Sequence, residues 1–194
     1  MPAAIAPKSA LSFGAGWMYY GLAGVAWPLN TVAGSVFTDV PNPANWTLFG
    51  VTREGHELTV DLNVDPVEAA EYLEPIVNVT TGRTVTVSAD FMQINATMMK
   101  RVFNGGSLVT SGAGATLLTT YKLPVIGAET RAQLFWESSD STERWVAGQV
   151  FQTGSIQINR KKGAANASLP AEFTFEPDAN GDPFVQFNAG VLRG

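Results

Sequence analysis

The chain has no cysteine, one histidine and little charge, and each shortage removes a class of function. Without cysteine there is no disulfide framework and no thiolate chemistry, which fits folding in a reducing compartment. His56 stands alone, so no second imidazole is present to complete a zinc site, and it is expected in the turn that enters a strand. With 12 basic against 17 acidic residues the net charge is −5, which argues against affinity built on neutralising nucleic-acid phosphates. Charge is scarcest at the start: Lys8 and Asp39 are the only charged residues among the first fifty. Long apolar runs are missing too. The uncharged stretch 11–29 approaches the length of a membrane span, but Gly14, Gly16, Gly21, Gly24 and Pro28 interrupt it and Lys8 is a poor flank. A glycine-bounded strand at Trp17–Tyr20 followed by an extended arm is expected instead, with a partner subunit as its cover and no membrane involved.

What is present is enough for a real core. The 194 residues are 45% hydrophobic, 10% aromatic and 15% charged, which predicts one folded domain over 1–194, with 1–50 as a low-charge strand and arm. The clearest pattern begins at Glu57: Leu58, Val60, Leu62 and Val64 alternate with Glu57, Thr59, Asp61, Asn63 and Asp65, a strand with one dry and one wet face. The same period returns where Val85, Val87, Ala89 and Phe91 alternate with Thr84, Thr86, Ser88 and Asp90. The two strands are expected to pair, joined by a long acidic loop. Asp65-Pro66-Val67-Glu68 has the spacing of a short helical turn within it.

One helix is predicted over 95–104: Asn95 can cap it, Met98, Met99, Val102 and Phe103 share a face, and Gly105-Gly106 ends it. Further strands are expected near 117–123, 130–136, 145–151, 155–160, 172–176 and 184–188, the last two forming a hairpin across Asp178–Pro183. The class is mainly β with one flanking helix. No chemical motif stands above its bland reading. Asp178-x-Asn180-x-Asp182 lacks the acid a calcium loop needs at its twelfth place. Gly112-Ala113-Gly114 has no phosphate-loop lysine. Glu68, Glu71 and Glu74 read as an acidic, partner-facing rim, and Arg160-Lys161-Lys162 as a solvated turn. No cofactor, no metal and no enzymatic activity are expected.

The succession Trp46-Thr47-Leu48-Phe49-Gly50-Val51-Thr52, the alternating strand 57–64, the acidic loop, Thr81-Gly82-Arg83-Thr84-Val85-Thr86-Val87-Ser88-Ala89 and then Met98–Gly106 resembles the major tail tube proteins of long-tailed bacteriophages. The resemblance implies a β-sandwich or half-barrel with one helix, made in the host bacterial cytoplasm and assembled into the virion tail. Six copies would form a ring, and rings would stack into a tube that conducts the DNA without binding it specifically. It implies partners as well: further copies, a tape measure and a tail terminator. Carried onto this chain, Glu57, Thr59, Asp61, Asn63, Thr84, Thr86, Ser88 and Asp90 would face the lumen. Val67, Glu68, Glu71, Tyr72, Leu73, Glu74 and Ile76 would reach the adjacent ring. Two other classes remain open: a secreted β-sandwich that binds carbohydrate, which would expose Trp136 or Trp145 in a groove, and a hydrolase, which would need a polar cluster the sequence does not display.

Overall fold

The computed structural model describes residues 16–67, 77–158, 168–179 and 181–189. In chain order the strands are β1 (Gly16–Leu22), β2 (Val32–Ala33), β3 (Val36–Phe37), β4 (Thr47–Leu48), β5 (Thr52–Val67) and β6 (Val77–Phe91). After the helix α1 (Ala96–Val102) come β7 (Ser107–Ser111), β8 (Leu118–Lys122), β9 (Ala132–Ser138), β10 (Glu143–Gln152), β11 (Leu169–Glu176) and β12 (Val185–Asn188). The architecture is mainly β with one α-helix among the described residues. The main sheet is antiparallel in the order β4-β1-β9-β10-β11-β6-β5, with β12 also on β10, while β2–β3 and β7–β8 are separate ribbons. No helix of the described residues is long and apolar enough to cross a membrane.

The connection from β4 to β5 decides the shape. These strands lie at opposite edges of the sheet, about 29 Å apart if it were flat at ~4.8 Å per strand. Yet only Phe49, Gly50 and Val51 join them, and a segment that short spans at most about 14 Å. The sheet must roll until its edges nearly meet. His56 on β5 accordingly touches the rings of Trp136 on β9 and Trp145 on β10, with centroids 5.2 and 5.5 Å away. The interior of the roll holds Met18, Phe49, Val87, Phe91, Leu134, Trp136, Trp145, Val150 and Phe173. Met98 and Val102 of α1 close it.

The predicted helix forms with its predicted cap: Asn95 accepts from the Met98 N–H at 2.9 Å, and Lys100 and Arg101 occupy the last turn. Arg101 then donates to the Leu48 carbonyl and the Thr47 hydroxyl and lies over the Tyr20 ring, fastening the helix to the β4 edge. Gly106 (φ +100°) follows, where a Cβ would sit 2.3 Å from the Lys122 carbonyl oxygen, so β7–β8 can leave the helix there only through glycine.

Five expectations are corrected. The long loop expected between the paired strands is strand at both of its ends, since β5 runs to Val67 and β6 starts at Val77. Asp65, Pro66 and Val67 are paired with Val79, Asn78 and Val77, so they do not open a helical turn. Pro66 is tolerated because β5 is an edge strand, where the missing N–H faces away from the ladder. Val60, Leu62 and Val64 are not dry, for the hairpin projects beyond the body and leaves them exposed. Residues 155–158 are not in a strand, although Ile156 and Ile158 pack on the core. Finally, β11 and β12 form no hairpin with each other. Both pair with β10, β11 at Gln149–Gln152 and β12 at Glu143–Val146, so they are successive parts of one antiparallel neighbour with a looped-out turn between. The Asp178 carboxylate accepts from the Asp182 N–H inside that turn.

The arm from 23 to 46 lies across the opposite face of β1, β9 and β10, where Trp46, Phe135 and Val146 form a second core with Tyr19, Val25, Trp27 and Phe187. One buried cation pins it. Arg144 is fully buried and donates to the Asp39 carboxylate at 2.7 Å, the Asp39 carbonyl at 2.6 Å and Glu137 at 3.1 Å, while stacking on Phe37. Asp39 also accepts from the Thr31 N–H at 2.9 Å. The one acidic residue of the first fifty is thus the partner of the most deeply buried charge. Removing one member of such a cluster leaves an uncompensated charge. Asp39→Asn, which keeps the shape and removes the charge, is expected to lower stability by about 3 kcal/mol in urea unfolding. A loss below about 1 kcal/mol would show that Glu137 suffices for Arg144.

Candidate functional site: a polar face shared by three strands

The β5–β6 register brings the predicted polar residues together. Glu57 lies opposite Ser88, Thr59 opposite Thr86, Asp61 opposite Thr84 and Asn63 opposite Gly82, so all share one face of the hairpin. Asp90 continues the row. On the other side of β6, Pro170, Glu172 and Thr174 of β11 pair with Asp90, Ser88 and Thr86. The face therefore extends to a third strand that the sequence reading did not assign to it. The signal was present in the alternation Glu172-Phe173-Thr174-Phe175-Glu176, but the strand's neighbour was not. Val87, Phe173 and Phe175 are buried on the core side, which fixes the polar residues outward.

The face is acidic. Glu57, Asp61, Asp90 and Glu172 take no part in the ion pairs among the described residues, which are Arg131–Glu176, Arg144–Asp39 and Arg144–Glu137. Glu176, at the far end of the face, accepts from Arg131 at 3.0 Å and Gln149 at 2.7 Å, and the Arg131 guanidinium holds its carboxyl below the usual range. No lysine occurs on β5, β6 or β11. Of the residues expected to reach a neighbouring ring, Val67 ends β5 and is exposed; Glu68, Glu71, Tyr72, Leu73, Glu74 and Ile76 lie outside the described residues, as does the basic turn 160–162.

A second β-bulge divides the hairpin. Asn63 pairs with Gly82 but Val64 pairs with Thr80, so Thr81 is an extra residue in β6. The extra residue reverses the alternation. Val85 and Val87 face the core side with Leu58, Val60 and Leu62, whereas Val77 and Val79 lie with Val67 on the polar side. The hairpin is therefore apolar on one face along its length and on the other face near its tip. These six exposed valine and leucine side chains, Val60, Leu62, Val64, Val67, Val77 and Val79, are between 45% and 57% accessible.

No family model matches the chain, and no curated protein matches it. Among solved structures it is similar to a chain of the anti-feeding prophage baseplate, determined by cryo-electron microscopy with six-fold symmetry applied. The match is 8% identical over 90% of this chain and 94% of that one, with a TM-score of 0.41.

The first bulge of β5 lies between Thr52 and His56, and His56 is on the core side, opposite Ala89. It also lines a cleft of about 480 Å³ together with Arg53, Glu57, Asp90 and Glu172. No group of three or more metal-ligating side chains is assembled among the described residues. Trp136 and Trp145 are buried, so they form no open aromatic groove of the kind a carbohydrate reader needs. Burial beside them pushes the His56 imidazole below its ordinary 6.5, with Glu143 opposing in part. A histidine of lowered pKa binds its proton more tightly in the unfolded chain, so stability rises with pH up to about 6.5 and is level above it. Urea midpoints at about pH 5 and about pH 7.5 are expected to differ less in His56→Gln than in the native chain. Equal differences in both would remove His56 as the cause.

Proposed function

We propose that this chain is a structural subunit of a phage-type tail tube rather than an enzyme. Copies join side by side into rings, with six as the expected number, and rings stack into a bore that conducts DNA. The observation that carries this reading is the projecting hairpin, whose β5 edge is unpaired among the described residues and whose polar face holds no lysine. A polyanion passing such a face meets like charge and hydroxyls, and slides without sticking. Rings that join sheets edge to edge also remove the open strand edges, which otherwise recruit random partners. The dimensions are permissive: six copies giving the three strands β5, β6 and β11 would make ~18 strands, and at ~4.8 Å spacing and ~40° tilt these close a backbone radius of about 18 Å, room for a DNA duplex. A tape measure inside the bore and a terminator at its end complete the partners this reading expects.

Rings or tubes should appear in negative-stain micrographs of the purified protein at high concentration. A monodisperse monomer at millimolar concentration would overturn the proposal. The tip carries the stacking contacts in this reading. Because Val67 and Val77 are directly paired, residues 68–76 can be replaced by Asn-Gly as a two-residue hairpin turn. Rings are expected to persist in that variant and long tubes to disappear; long tubes from it would remove the stacking role of the tip.

A further inference from the structure

From Val60 outward the β5–β6 hairpin is an arm. Among the described residues, β6 beyond Val85 pairs only with β5, and β5 pairs with no other strand. From Val60 to Val67 the arm extends roughly 23 Å at ~3.3 Å per residue. A two-stranded ribbon standing alone in water is marginal at best. This one also carries the core-side face of the sheet past the end of the core, where Val60, Leu62 and Val64 lose their cover. The same chain bears a second uncovered apolar surface. Residues 104–128 contain a single charge, Lys122, and end in a loop that exposes Leu123, Val125 and Ile126, the last at 96%. The arm belongs to the main sheet and the loop follows the separate β7–β8 ribbon, with no strand pairing between them among the described residues.

We propose that the core-side face of the arm, Val60, Leu62, Val64 and Arg83, docks on Leu123, Val125 and Ile126 of a second copy. Arg83 is the cation on that face of the arm, opposite Leu62, and Glu129 is the carboxylate beside the loop, where it accepts from the Gly127 N–H. Both surfaces are contiguous bare apolar side chains, between 47% and 96% accessible, of the kind that marks an interaction site. Two different patches meeting head to tail repeat around a ring, which a self-complementary contact would not do. The inference rests on the assembly of copies proposed above and adds the pair of surfaces that meet. It also gives the Thr81 bulge a consequence. Val77 and Val79 face the other way and stay out of this contact, free for the next ring.

A chain without cysteine allows a direct test. Leu62→Cys combined with Ile126→Cys places two thiols on exposed positions that the fold does not need. On oxidation of assembled protein, non-reducing gels should show a ladder of covalent multimers, absent from each single variant and from Val79→Cys combined with Ile126→Cys. Independently, Leu62→Lys, which sits opposite Arg83 and so gains no partner on the arm, should raise the concentration needed for assembly at least about tenfold, the effect of one charge buried without a partner in an interface. If assemblies form and the Leu62/Ile126 pair gives no ladder, or the Val79/Ile126 pair gives one equally well, the docking surface is wrong while self-association stands. If the native chain never assembles, the tube reading falls and the docking surface with it.

Discussion

Leu48 and Thr52 belong to strands at opposite edges of the main sheet, and three residues join them. That short crossing requires the sheet to roll, and most of the structure follows from the roll. The interior it creates is lined by Trp136, Trp145, Phe91 and Phe173 and needs a plug at the crossing end, which Met98 and Val102 of the helix supply. Gly50 sits in the crossing with φ +150°, and a Cβ there would meet Met98 at 3.0 Å, so crossing and plug are fitted to each other. The roll also turns the hydroxyl and carboxylate side chains of β5, β6 and β11 outward together. A flat sheet of the same strands would bury neither face well.

Closing the roll leaves two elements outside it. The arm at 23–46 is attached through the second core and the Arg144 cluster, where one cation satisfies two carboxylates and a carbonyl from distant parts of the chain. The β5–β6 hairpin has no such attachment beyond Val60. Its stability in isolation comes from cross-strand pairs alone, each contributing at most about 1 kcal/mol, while its apolar side chains remain in water. These two elements differ in a way that bears on assembly. The first is finished within one chain, whereas nothing among the described residues covers the second.

Local chemistry makes several elements legible in the sequence itself. Asn95 with Gly105-Gly106 bounds the helix because caps and stops act within a few residues, and the nine-residue alternation from Glu57 marks β5 because its body end has one face on the core. Both signals are short-range. What escaped was long-range. Asp39 and Arg144 are 105 residues apart, and nothing local announces that one neutralises the other. Glu172 joined the polar face only once β11 was known to lie beside β6. The extra residue at Thr81 was hidden because the Val77, Val79, Val85 and Val87 spacing reads as one uninterrupted face, whereas the bulge splits it between two. Likewise Phe184–Asn188 looked like the return of a hairpin, and the partner proved to be β10 rather than β11.

The central claim is that the shared polar face lines a bore, and charge reversal tests it most directly. Asp61 and Asp90 lie on that face, away from the buried Val87 and Phe91, so Asp61→Lys with Asp90→Lys should leave folding and tube formation intact. The measurement is retention of duplex DNA by purified tubes as a function of salt. Tubes of the double variant should hold DNA at low salt and release it with a log–log slope near −0.9 per phosphate contact, while native tubes hold none. Equal retention by native and variant tubes, or loss of folding on either substitution, would contradict the placement of this face in the bore.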